Sequence, residues 1–361
     1  MAETIRYGLL GTGMMGLEHQ RNLNAIEGVE VVAAADSFEG SLEQARVTAE
    51  GRNLETFSDY RELLKADICD VYVISTPNFT HRAVLDDVMK TGKAIFVEKP
   101  MCTEVSDAKV IRDLALSYSN VFWVGLEYRY MPPIAKAIEV AKSGELGDVV
   151  MIAQREHRHP FLVKVDNWNR FSKNTGGTLV EKCCHFFDLM RLIAQSNPVR
   201  VMASGAQSHN HLNENYDGKV PDILDNAYVI VEFENGIRSS LDLCMFAEGT
   251  TNTEELTVVG TEGKVEAFLP TGLVRTGARK GWTKGVREEI VTNEEVLVEG
   301  FHHGASFLEH LDLKRAVENK TPALVNAEDG FWSVVMGAAA HRAIDEKRVV
   351  EIAEYIEQLR N

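Results

Sequence analysis

The sequence is poor in cysteine, in long apolar runs and in positive charge, and each shortage excludes something. Its five cysteines, at positions 69, 102, 183, 184 and 244, include no C-x-x-C pair. The odd count and the spacing argue against a disulfide framework or a ribbon-type zinc site. They suit a reducing cytoplasm, which is the expected location. No apolar run approaches the ~20 residues needed to span a bilayer. The N-terminal stretch has no charged segment followed by an apolar core, so no signal peptide and no membrane association are expected. Lys and Arg total 38 against 54 Asp and Glu, a formal net charge of −16. Such a surface is not built to neutralise a phosphate backbone, so no nucleic-acid partner is expected. A local site for one small anionic ligand stays open, because such sites use backbone N–H groups and helix ends.

What is present is ordinary globular material. The 361 residues are 45% hydrophobic and 25% charged, which disfavours disorder. At roughly 150 residues per domain the length predicts about two domains. The first third alternates short apolar runs (5–10, 29–35, 71–75, 94–97 and 121–125) with helical patterns. That grammar predicts a doubly wound parallel sheet covered on both faces. After residue 127 the strands lengthen (149–158, 199–207, 228–233 and 238–246), and Asn235-Gly236 marks a hairpin. Residues 256–259 and 265–269 form a second expected hairpin, and helices are expected at 133–143, 177–195, 304–318 and 327–345. The expected fold class is α/β: residues 1–127 a dinucleotide-binding Rossmann domain, residues 128–361 an α+β domain with a large mixed or antiparallel sheet. The polar stretch 208–222 is expected to be a mobile loop, with His209 and His211 solvated.

Gly11-Thr12-Gly13-Met14-Met15-Gly16 follows the first strand and opens the first helix. The first glycine permits a tight turn, the second lets the backbone approach a pyrophosphate, and the third lets helix and strand pack closely. The helix start adds N–H donors for an anion. Asp36 ends the second strand, 20 residues after Gly16, where a carboxylate can accept hydrogen bonds from a ribose diol. A carboxylate there repels a 2′-phosphate, which favours NAD over NADP, although Ser37 could hydrogen-bond a phosphate.

Thr76-Pro77-Asn78, with His81 one turn on, ends the 71–75 strand, and Glu98-Lys99-Pro100 ends the 94–97 strand. Ligands of open α/β sheets bind outside the carboxyl ends of the strands, so Thr76, Asn78, His81, Glu98 and Lys99 join the cofactor-binding candidates. A lysine so placed can hydrogen-bond an alcohol oxygen and stabilise the alkoxide that develops as hydride leaves. The alternative is a surface Glu–Lys pair worth little. A second constellation follows Gly176-Gly177: Glu181, Lys182, Cys183, Cys184, His185 and Asp188. On a continuous helix Glu181, His185 and Asp188 share a face. A histidine flanked by carboxylates is a candidate general base, with one carboxylate fixing its tautomer. Adjacent helical cysteines point about 100° apart, so no metal is expected. The bland reading is a buried histidine held by a carboxylate. Weaker substrate candidates are His157 and His159, which alternate with Arg158 at a strand end, and Trp168 and Arg170 before the glycine pair. For all of these, as for His302 and His303, packing or capping is an equal alternative.

Taken together, these motifs resemble the glucose–fructose oxidoreductase, inositol dehydrogenase and rhizopine catabolism family (Gfo/Idh/MocA), over nearly the whole chain. Tyr128-Arg129-Tyr130, the Asp225-Asn226-Ala227 strand start and the helix around Gly330 belong to the resemblance, which adds Arg129 to the cofactor candidates. It implies a two-domain NAD(P)-dependent oxidoreductase acting on sugars, inositols or related polyols, assembled as a homodimer or homotetramer through its C-terminal sheets. Lys99 would bind and polarise the reacting hydroxyl, His185 would be the acid–base group, and Lys99, Glu181 and His185 would contact substrate. The family often has Asp where this chain has Glu181, and Lys182 follows it; this departure bears on substrate geometry. Two other readings remain: a redox-neutral, NAD-assisted glycosidase or lyase working through a keto-sugar, and a non-catalytic dinucleotide-sensing regulator.

Overall fold

The computed structural model describes residues 4–280 and 285–359. It contains two sheets in two compact units.

The first unit is built on six short strands: β1 (Ile5–Leu10), β2 (Val29–Ala35), β3 (Glu55–Phe57), β4 (Val71–Ile74), β5 (Ala94–Glu98) and β6 (Phe122–Gly125). Their order is β3-β2-β1-β4-β5-β6 and every pairing is parallel. This is the dinucleotide-binding order, with its switch point between β1 and β4. Strands β4, β5 and β6 are buried at every residue, which is why their apolar runs are continuous rather than alternating. Strand β3 and the helix Tyr60–Ala66 are too short and polar to stand out in sequence.

The first unit also takes up two later segments, Lys164–Trp168 and Glu295–Phe331. The helix Ala305–Asn319 joins it because it packs against the helix Met14–Asn24, and Val124 N–H donates to Val325 C=O at 3.1 Å. Position along the chain did not reveal this return.

The second unit holds Tyr128–Val163, Asn169–Glu294 and the chain from Trp332 on. Its sheet is mixed, with nine strands: β7 (Val149–His157), β8 (Pro198–Ala206), β9 (Asn226–Phe233), β10 (Arg238–Cys244), β11 (Glu254–Gly260), β12 (Gly263–Leu269), β13 (Leu273–Ala278), β14 (Val286–Ile290) and β15 (Val350–Glu351). Their order is β14-β13-β12-β11-β7-β10-β9-β8-β15, and only β7 and β10 pair in parallel. Asn235-Gly236 closes the β9–β10 hairpin as expected, with Phe233 and Ile237 hydrogen-bonded across it. Strands alternate buried and exposed residues, so one sheet face is covered and the other open.

The expected 177–195 helix is a correction. It is two helices, Thr178–Glu181 and Cys184–Ala194. At the break, the Cys183 N–H reaches the Thr178 carbonyl, five residues back, at 3.4 Å. The 208–222 stretch carries no helix or strand, yet its start is pinned by Asp225, which accepts the N–H groups of Ser208, His209 and Asn210.

Candidate functional site

In the first unit the glycine turn is locked to the sheet. Gly11 N–H donates to Ala35 C=O at 2.8 Å, and Ser75 Oγ donates to Gly11 C=O at 2.8 Å. Gly11 sits at φ +92°, a conformation that favours glycine. Gly13 is the N-cap of the helix Met14–Asn24 and brings no side chain to its N–H groups. The first N–H groups of a helix have no intrahelical acceptor. A Cβ on Gly13 would meet nothing within 4 Å. Open space above unclaimed donors is what a pyrophosphate requires. Met14 and Met15, half-buried, form the first helical turn.

Asp36 closes this turn from the side. Its Oδ2 accepts Thr12 N–H at 2.8 Å and its Oδ1 accepts Phe38 N–H at 2.9 Å. Ser37 is exposed beside it. Thr76 and Asn78 follow β4; Asn78 is buried, and its Nδ2 has no hydrogen-bond partner among the described residues. A buried amide donor left over at a strand's carboxyl end fits a polar ligand such as a dinucleotide.

Two cofactor candidates have other work. His81 is fully buried, with Nδ1 2.8 Å from Pro100 C=O and Nε2 3.0 Å from Thr76 C=O. Burial holds its pKa below the usual histidine range, against the pull of both carbonyls. A neutral ring has one N–H and donates to one carbonyl at a time. His81 therefore ties the loop after β4 to the loop after β5. Glu98 is buried too: Oε1 accepts from His19 Nε2 at 2.9 Å, and Oε2 accepts the Lys99 backbone N–H at 3.1 Å. Burial pushes the Glu98 carboxyl up, but the bond to His19 and its charge outweigh that and hold it below the usual range. Lys99 itself is half-buried.

In the second unit Glu181, Lys182 and His185 are all buried. The His185 ring stacks on Tyr128, centroids 4.0 Å apart and planes 8° from parallel. Lys182 Nζ donates to the Tyr128 hydroxyl and pairs with Glu156 at 2.9 Å. The Arg129 guanidinium takes both oxygens of Asp188, Nε at 2.6 Å from Oδ2 and Nη2 on Oδ1. Arg129 is thereby placed inside this unit by its acid partner. Glu181 ends the separate short helix, while His185 and Asp188, three residues apart on Cys184–Ala194, share a face of that helix as expected.

His157 is also corrected. Gln154 and Glu156 of β7 are buried, and Gln154 bonds the Phe186 carbonyl behind the His185 helix. His157 therefore projects from the opposite, open sheet face, 3.3 Å from Asp242. Arg158 turns back to Glu156 at 3.5 Å, and His159 is exposed. Arg170 is buried, bound to Glu214 at 3.0 Å, and its Nη1 has no partner among the described residues. Trp168 belongs to the first unit, edge-on to Phe79 and under the Lys164 ammonium. His211 is not solvated; it pairs with Glu214 at 2.8 Å.

Sequence reasoning missed His341. Its Nε2 accepts the Leu179 N–H at 3.1 Å, at the start of the helix carrying Glu181. Gly177, at φ +84°, leaves room for the ring: a Cβ there would lie 2.3 Å from Nε2. Nothing in the local sequence around 341 signals this contact.

Comparison with known proteins decides the family. Residues 5–126 match the Gfo/Idh/MocA model described as "Oxidoreductase family, NAD-binding Rossmann fold", and residues 138–352 match its C-terminal alpha/beta domain. The chain belongs to this family. It is an NAD-binding oxidoreductase of the Gfo/Idh/MocA family, as the motifs implied. It is 25% identical to a myo-inositol 2-dehydrogenase of Thermotoga maritima, over 98% of this chain and all of that protein. It is 26% identical to an inositol 2-dehydrogenase of Rhizobium meliloti, over 97% of this chain and all of that one. A levoglucosan dehydrogenase complexed with NADH and levoglucosan shares the fold at TM-score 0.84 and 20% identity, covering 96% of this chain and 99% of that one. No helix among the described residues is long and apolar enough to cross a membrane.

Proposed function

We propose that this oxidoreductase transfers hydride between NAD and a secondary hydroxyl of a sugar, inositol or related polyol. The observation that carries the reading is Lys99 at the carboxyl end of β5 in an NAD-binding sheet, its backbone N–H held by a buried carboxylate. The names of the two inositol dehydrogenase relatives support the substrate class. Gly11, Gly13, Gly16, Met14 and Met15 would hold the pyrophosphate, Asp36 the ribose, and Asn78 a further polar group. The nicotinamide supplies the hydride acceptor.

Lys99 then hydrogen-bonds the reacting hydroxyl and stabilises the alkoxide. His185 takes the hydroxyl proton, its ring plane set by Tyr128. Asp188 and Arg129 position the helix that bears it. Glu181 and Lys182 shape the substrate end. A homo-oligomer built on the open sheet face fits the exposed Met151, Tyr228 and Ile230 there; light scattering of the eluting protein reads its size.

The test is a panel of inositols, hexoses and glycosides with NAD, followed at the NADH absorbance band. NADH should accumulate with at least one polyol, and Lys99→Ala should abolish turnover while NAD still binds. Turnover of a glycoside without NADH accumulation would instead mark the redox-neutral route. Full turnover by Lys99→Ala would sink the assignment.

A further inference from the structure

Behind Lys99 the first unit buries more ionisable groups than hydride transfer uses. Glu18, His19, Glu98, Glu127 and His310 are each no more than 5% exposed. They form two strings. In one, Glu98 holds His19, whose Nδ1 lies 2.9 Å from His310 Nε2. In the other, the Ser306 hydroxyl touches two acids, Glu127 Oε2 at 2.6 Å and Glu18 Oε1 at 3.3 Å. His302, half-buried, stands at the edge with Nδ1 3.2 Å from Glu127 Oε1 and 3.9 Å from Glu18 Oε1.

The second string holds one proton more than two ionised carboxylates allow. A hydroxyl has a single hydrogen to donate. Its contact with a second acid is favourable only where that acid brings its own proton. Two buried like charges on one hydroxyl would otherwise repel. Glu18 also accepts the Phe301 backbone N–H at 3.1 Å, which favours its carboxylate form. The proton therefore falls to Glu127.

The groups that face Glu127 can be counted. Glu18 and His19 come from the helix Met14–Asn24, Glu98 and Lys99 from the end of β5, and His302 and Ser306 from the segment that begins the helix Ala305–Asn319. With Glu127 protonated, the carboxylates of Glu18 and Glu98 are balanced by His19 and Lys99. Burial raises Glu18, but burial does not win at His19, where the bond and charge of Glu98 hold the ring in its charged form.

We propose that Glu127 is a positioning residue for Lys99: a buried acid, sharing its proton with Glu18 through Ser306, that keeps the charges behind Lys99 balanced while the alkoxide forms. This rests on the reading of Lys99 as the alkoxide-stabilising group. Loss of the proton adds a negative charge behind Lys99 and opposes the negative charge developing on the substrate oxygen. Burial, and next the charge of Glu98, push the Glu127 carboxyl up to about 8, so the switch falls in a workable range.

The experiment is the pH profile of kcat/KM for NAD-dependent polyol oxidation, on the full chain, from pH 6 to 10. The wild type should lose roughly tenfold across an ionisation near 8. Glu127→Gln should lack that ionisation. Ser306→Ala breaks the bridge through which Glu127 and Glu18 share the proton, so its midpoint should move away from the wild-type value. Either variant with the wild-type profile overturns the proposal, and Ser306→Ala decides alone where Glu127→Gln fails to fold. Lys99→Ala separates the two ideas. An active Lys99→Ala overturns the reading beneath the proposal; an inactive one with an unshifted Glu127→Gln overturns the proposal only.

Discussion

Gly13 and Gly16 lie three residues apart in one turn, and alanine at each should fail for a different reason. At Gly13 the backbone is extended at φ −69°, and a methyl would meet nothing within 4 Å. The folded chain without cofactor therefore tolerates Gly13→Ala, and the unfolded chain loses freedom, worth about 0.4–1 kcal/mol in its favour. The methyl instead occupies space reserved for the pyrophosphate. Losing one charge-assisted hydrogen bond there costs about 1.5–3 kcal/mol, or roughly 10- to 150-fold in NAD affinity. At Gly16 the added Cβ would lie 2.1 Å from the Gly11 carbonyl oxygen and 3.0 Å from Ser75 Oγ. The first contact is about 0.9 Å short of a tolerable 3.0 Å, and its partner is backbone. Over-packing of that kind costs about 1–3 kcal/mol, or roughly 2–4 °C of melting temperature per kcal/mol. Thermal melts without cofactor and NAD titration by tryptophan quenching read the two effects. Gly13→Ala should melt slightly above the wild type and bind NAD poorly; Gly16→Ala should melt lower and also bind poorly. NAD affinity of Gly13→Ala within twofold of the wild type would refute the placement of the pyrophosphate.

Asp36→Ala removes the acceptor that closes the turn, so kcat/KM with NAD should fall roughly tenfold or more while that with NADP changes little; an unchanged NAD/NADP ratio would contradict the ribose assignment. Asp188→Asn removes the carboxylate charge that the buried Arg129 pair depends on and should cost about 3–5 kcal/mol in denaturant unfolding; a loss under ~1 kcal/mol would show the pair to be incidental. Burial lowers His341 to about 4, below the 6.5 of an unfolded chain. The unfolded state therefore binds the extra proton between these values, and stability present above pH 6.5 drains away by roughly 3 kcal/mol as pH falls to 4. His341→Gln should flatten that slope, measured as unfolding free energy against pH. Glu127 has the opposite sign: its raised pKa makes the folded state hold the proton, so stability present below pH 4.5 declines as pH rises from there to 8, and the melting advantage of Glu127→Gln over the wild type should grow from pH 5 to pH 9.

Local rules carried the reading of the glycine turn, the parallel strands and the Asn-Gly hairpin, because each depends on a few neighbouring residues. The lysine after β5 was legible for the same reason: a strand end in an open sheet is where ligands bind. The line of Glu181, His185 and Asp188 was legible in part: His185 and Asp188 share the helix Cys184–Ala194, while Glu181 ends a separate short helix, a break that residue spacing does not encode. His157 shows the same limit on a strand. Alternation told which residues share a face, but only the packed helix decided that Glu156 rather than His157 points inward.

By itself, then, the sequence determined the glycine turn, the parallel sheet implied by βαβ alternation, and the candidate residues at its strand ends. These follow from short-range propensity and from a periodicity of two or 3.6. Partnerships across long separations were decided only by the tertiary structure. Arg129 finds Asp188 and Glu98 finds His19 because sheet and helices bring them together. The return of Ala305–Asn319 onto the first unit places Ser306 and His310 beside residues almost three hundred positions earlier, and burial then sets which of those groups keeps its proton. Charge state in a core depends on what surrounds a group in space, and a linear chain carries no record of that until it folds.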